Sequence, residues 1–88
     1  MTKQELLQEG NLLSSSIRPE YDESFGMHSL TGYYYDDEQR YRNWAEIAQG
    51  YVYENKIYPE QYEEFKRARE DMSPEGHKSM LAIINSLQ

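Results

Sequence analysis

Two histidines, a run of three serines and a cluster of six carboxylates are the side chains of this 88-residue sequence with the clearest capacity for chemistry, and there is no cysteine. The carboxylates are Glu20, Asp22, Glu23, Asp36, Asp37 and Glu38. From 20 to 38 they are joined by four tyrosines and by no lysine or arginine, whereas the rest of the chain holds ten acids against nine bases. Paired carboxylates can act as acid and base on a glycosidic bond. That chemistry needs a deep cleft that raises one pKa, and a helical chain of this length can hardly build one. The acids also lack the D-x-D-x-D-G spacing and twelfth-position glutamate of a calcium loop. His28 reads as an exposed loop residue. His77, three and four residues before Met80 and Leu81, reads as a half-buried packing residue or a helix-end side chain. Neither lies in H-E-x-x-H, and Ser14, Ser15 and Ser16 sit outside any G-x-S-x-G. The expectation is therefore no catalytic residue, no metal site, no cofactor and no enzyme.

The same cluster is well suited to binding. Concentrated negative charge steers encounter with a basic surface, and tyrosine supplies anchor area once contact is made. Tyr33, Tyr34 and Tyr35 cannot all be buried, because consecutive side chains point in different directions, so at least one ring is expected at the surface beside Asp36, Asp37 and Glu38. A net charge of −7 and a pI near 4.7 weigh against direct nucleic-acid binding and against anionic membranes. The expected partner is a basic protein. A competing use of Asp36 and Asp37 is to cap the helix that follows, which shifts more of the binding argument onto Glu20, Asp22 and Glu23.

Helical spacing supplies the elements that hold this segment. Leu6, Leu7, Leu13 and Ile17 predict a first helix over about 2–16, weakened by Gly10 and the serine run. Tyr41, Trp44, Ala45, Ala48, Tyr51 and Val52 form the apolar stripe of a second, with Glu38–Arg42 and Arg42–Glu46 as charge pairs outside. Tyr58-Pro59 starts a third, with stripe Tyr62, Phe65, Ala68 or Arg69, and Met72, and with Glu63–Arg67 and Lys66–Glu70 on its wet side. Ser73-Pro74 starts a fourth, with Met80, Leu81, Ile84 and Leu87 buried. The expected fold is all-α: one compact three- to four-helix domain over 1–88, with its core mostly in helices 2 to 4. Between helices 1 and 2 a long acidic loop is expected, pinned by Phe25, Met27 and Leu30, with alternation around 25–35 that allows a short hairpin. The start of the chain lacks a secretory signal and no apolar run approaches the ~20 residues of a membrane span, so a cytoplasmic chain is expected.

Ile57-Tyr58-Pro59 together with Asp71-Met72-Ser73-Pro74-Glu75-Gly76 resembles the centre of the colicin-type nuclease immunity proteins, over roughly a quarter of the chain. In that family a tyrosine-bearing helix before a proline and an Asp-Ser-Pro-x-Gly helix start frame the surface that binds the toxin. Here one tyrosine stands where the family has two, Met72 interrupts Asp-Ser, and a whole helix separates the halves. The resemblance implies partner contacts at Tyr58 and Asp71, and a shared way of working rather than common descent. The functional expectation is an acidic inhibitor that occludes the active groove of a basic nuclease or other nucleic-acid enzyme, with immunity protein, antitoxin and DNA mimic as its nearest descriptions. The alternatives are a phage-encoded DNA mimic that blocks a host defence nuclease, and a non-inhibitory adaptor or structural module.

Overall fold

Three of the four helices begin at a side chain that satisfies an amide which a helix start leaves unpaired. In the computed structural model, which describes residues 1–23, 26 and 28–87, α1 is Lys3–Ser14, α2 is Glu38–Asn55, α3 is Pro59–Glu70 and α4 is Pro74–Ser86. Thr2 and Glu5 form a reciprocal capping box on α1, with Glu5 N to Thr2 Oγ1 at 3.2 Å and Thr2 N to Glu5 Oε1 at 3.1 Å. Asp37 caps α2 by accepting from Arg40 N at 3.0 Å, and Ser73 caps α4 by accepting from Gly76 N at 3.0 Å. Before α3, Gln61 reaches back, its Oε1 accepting from Tyr58 N at 3.1 Å and Ile57 N at 2.6 Å.

The expected all-α class is overturned. Where a long loop was expected, β1 (Ile17–Asp22) and β2 (Ser29–Tyr35) pair antiparallel, so the architecture is mixed: four helices and a two-stranded sheet. The reason is a period of two that starts earlier than 25. Ile17, Pro19 and Tyr21 alternate with Arg18, Glu20 and Asp22, a pattern no helix can use. Ile17 therefore leaves the stripe of α1 and becomes the first strand residue, and α1 stops at Ser14. Of the residues expected to pin the segment, Phe25 and Met27 lie outside the described residues, and Leu30 is exposed.

α1 packs on α4 and α2, and α3 packs on α2 and α4. The core takes Leu6 and Leu13 from α1, Tyr41, Trp44, Ala45, Ala48 and Val52 from α2, Phe65 and Ala68 from α3, and Met80 and Ile84 from α4. It thus reaches further into α1 than the expected core of helices 2 to 4. The surface charges also pair differently. Glu38–Arg42 forms at 3.2 Å, but Arg69 crosses to Glu46 at 2.7 Å and Arg40 crosses to Glu9 at 2.5 Å, tying α3 and α1 to α2. Lys66 meets Glu63, one turn back, at 3.2 Å.

Two glycines mark where neighbours press too closely on the backbone for a side chain, side chains at Gly10 and backbone carbonyls at Gly76. A methyl at Gly10 in α1 would collide with Leu81 and lie 2.7 Å from the Trp44 ring, while one at Gly76 in α4 would collide with the Asp71 carbonyl and lie 2.7 Å from that of Ala68. Gly50, on the outside of α2, faces open space. Gly10→Ala is accordingly expected to cost about 1–3 kcal/mol by overpacking. Gly76→Ala should cost at least as much, since fixed backbone stands in the way. Gly50→Ala should instead stabilise by about 0.5–1 kcal/mol through helix propensity. Urea unfolding of the three variants measures all of these values.

Candidate functional site

The hairpin grows out of a buried aromatic anchor. Tyr35, the last residue of β2, is 3% exposed and stacks on Tyr41 of α2, with ring centroids 3.7 Å apart and planes within 10°. Its hydroxyl lies 2.8 Å from Nδ1 of His77, which is buried in the first turns of α4, and His77 Nε2 lies 2.7 Å from the carbonyl of Gly10 in α1. A carbonyl only accepts, so Nε2 carries the proton, and Nδ1 accepts from the Tyr35 hydroxyl. One neutral imidazole thereby joins α4, α1 and β2. Alongside it the Trp44 indole donates to the Leu6 carbonyl at 2.9 Å, one turn before Gly10 on the same face of α1. His77 is therefore a packing residue near the start of α4, fully buried rather than half-buried. Burial holds its pKa below the ordinary value, the Gly10 carbonyl opposing this only in part. Burial, and then the neighbouring Tyr41, push the Tyr35 phenol well above its usual range.

Beyond this anchor the strands leave the helices. Every described residue from Arg18 to Asp22 and from Ser29 to Thr31 is exposed. The molecule measures 49 × 23 × 16 Å, and its 14.3 Å radius of gyration exceeds the roughly 12 Å of a compact chain this long. The register, Ile17 opposite Tyr35, Pro19 opposite Tyr33, and after a bulge Tyr21 opposite Leu30, divides the hairpin into two faces. Ile17, Pro19, Tyr21, Leu30, Tyr33 and Tyr35 share one. Arg18, Glu20, Asp22, Ser29 and Tyr34 share the other. The bulge leaves Thr31 as the extra residue of β2, its hydroxyl donating to the Glu20 carbonyl at 3.1 Å.

The three tyrosines thus part company: Tyr35 is buried in the anchor, Tyr33 is half-buried on the apolar face, and Tyr34 is exposed on the acidic face. The acids part too. At the hairpin's base Asp36 holds Arg18 at 3.0 Å, Asp37 caps α2 and Glu38 holds Arg42, so each has a structural task. Glu20, Asp22 and Glu23 are exposed on the projecting part, with His28 3.6 Å from Glu23. Tyr58 and Asp71 stand at the two ends of α3, a helix about 18 Å long, and are not brought together. Tyr58 is exposed, as is its chain neighbour Ile57, and Asp71 lines a shallow groove of about 500 Å³ with Arg67, Glu75 and Ile83. Among the described residues no three His, Asp or Glu side chains converge to hold a metal ion. No helix among the described residues is long and apolar enough to cross a membrane.

The chain matches no protein-family model, no curated protein and no solved structure. Its candidate site rests on its own geometry. Sequence reading overlooked Pro19 and Tyr21 and cast Leu30 as a buried pin, and the signal that would have placed them on one face of a hairpin was the alternation beginning at Ile17.

Two measurements test the anchor. The unfolded chain, with His77 at its ordinary value of 6.5, binds a proton before the folded one does. Stability is therefore expected to be flat above that pH and to fall as pH drops below it, ahead of the carboxylate range. His77→Gln should abolish this slope in urea midpoints taken across pH 5–8. Tyr35→Phe leaves the imidazole without its donor and should cost about 1–2 kcal/mol. Tyr41→Phe removes a buried hydroxyl that has no hydrogen-bond partner among the described residues, and should change stability by less than about 0.5 kcal/mol.

Proposed function

We propose that this protein acts by binding, as a small acidic inhibitor that occupies the positively charged groove of a basic nuclease or a similar nucleic-acid enzyme. The observation that carries the reading is the hairpin itself: an anchored arm standing clear of the helices, with Glu20, Asp22 and Glu23 exposed on it and no lysine or arginine beyond Arg18. A groove built to receive phosphates is lined with lysine and arginine. An arm of this shape carries negative charge into such a groove, where a flat acidic surface would stay outside. The anchor holds the arm in place before encounter, so little ordering entropy is lost on binding. The mode of action is that of an immunity protein, with the contact made by the hairpin, while the exposed Tyr58 lies at the far end of α2.

The test uses purified basic nucleases, beginning with any encoded beside this protein's gene. Inhibition should be stoichiometric, with fast, salt-sensitive association. Replacing Glu20, Asp22 and Glu23 together (E20Q, D22N, E23Q) is expected to slow association about tenfold or more at low salt and to flatten its salt dependence, leaving dissociation nearly unchanged. If none of the nucleases binds or is inhibited, the reading is wrong. If the triple variant associates as fast as the parent protein, the charge mechanism is wrong.

A further inference from the structure

A two-stranded sheet with both faces in solvent is marginal in water, and its outer strands present unpaired amides and carbonyls to any extended chain that approaches. Proteins guard such edges with charge and proline. The hairpin guards one edge only. β1 carries Arg18, Pro19, Glu20 and Asp22, whereas β2, Ser-Leu-Thr-Gly-Tyr-Tyr-Tyr from Ser29 to Tyr35, has neither a charged residue nor a proline. Among the described residues the sheet contains only these two strands, and no backbone hydrogen bond reaches the outer side of β2 between Ser29 and Tyr34.

Building on the proposed function, we infer that the outer edge of β2 receives an extended basic segment of the partner as a third strand. The two faces of the hairpin set its sequence character. A strand added to β2 places alternate side chains over the Tyr21, Leu30 and Tyr33 face and over the face that bears Glu20 and Asp22. The segment that fits therefore alternates apolar residues with lysine or arginine. Tyr21 and Leu30, 54% and 51% exposed, gain cover from the apolar set. The basic set meets Glu20 and Asp22 on that face, with Glu23 exposed just past the end of β1. Charge complementarity selects this occupant over a second copy of the chain, which would bring another set of acids and a net charge of −7 to the same place.

The experiment uses the full chain and two synthetic peptides of about eight residues, one alternating lysine with valine and one alternating lysine with serine. Binding is followed by NMR titration, and protection of the β2 amides by hydrogen exchange. The lysine–valine peptide is expected to bind at least about tenfold tighter than the lysine–serine one and to slow exchange at β2 but not at the outer edge of β1. Leu30→Ser with Tyr21→Ser should erase the preference while leaving the weaker lysine–serine binding intact. Equal binding of both peptides, lost in the Glu20, Asp22 and Glu23 triple variant, would overturn the added strand yet leave the electrostatic reading standing. Binding of neither peptide would overturn both. Concentration-dependent dimerisation that protects β2 without any peptide would assign the edge to a second copy and likewise overturn the inference.

Discussion

The buried imidazole of His77 is the constraint on which the rest of the arrangement turns. Its two nitrogens are spent on different parts of the chain, one on the carbonyl of Gly10 and the other on the hydroxyl of Tyr35. The first bond requires the backbone of α1 to come within reach, which Gly10 permits by lacking a Cβ where Leu81 and Trp44 press in. The second fixes the end of β2, and the stack of Tyr35 on Tyr41 fixes its direction relative to α2. A helical core and a projecting hairpin, which share little surface, are in this way joined at the hairpin's base.

Anchorage at the base gives meaning to exposure further out. A loose acidic segment would spend its charge on an ensemble of shapes and lose that freedom on binding. An anchored hairpin presents a fixed pair of faces, one aromatic and aliphatic, the other acidic, with an unguarded edge between them. The base and the arm also divide the acids. Asp36, Asp37 and Glu38 hold the arm and start α2, and Glu20, Asp22 and Glu23 are set out on the arm's outer part.

The helices were legible because their signals are local. Thr2, Asp37, Pro59 and Ser73-Pro74 announce starts, and a 3.6-residue stripe follows each. The hairpin was misread for equally local reasons: Ile17 falls in phase with Leu13 of α1, Pro19 argues against a strand, and the bulge at Thr31 breaks the alternation of β2. Only pairing with β1 resolves these signals. The anchor lay beyond sequence reading altogether, since positions 10, 35, 41 and 77 have no relation until the tertiary fold brings them together. Gly10 shows the difficulty well. By propensity it weakens α1, and by packing it is what lets α1 dock.

The single tryptophan of the chain stands inside this junction, its ring centroid 5.3 Å from that of His77 and its indole N–H on the Leu6 carbonyl. An imidazolium quenches a neighbouring indole far more strongly than a neutral imidazole does. The protein therefore carries its own optical reporter, placed so that emission follows the docking of α1 and the protonation of His77 while remaining blind to events at the hairpin's tip.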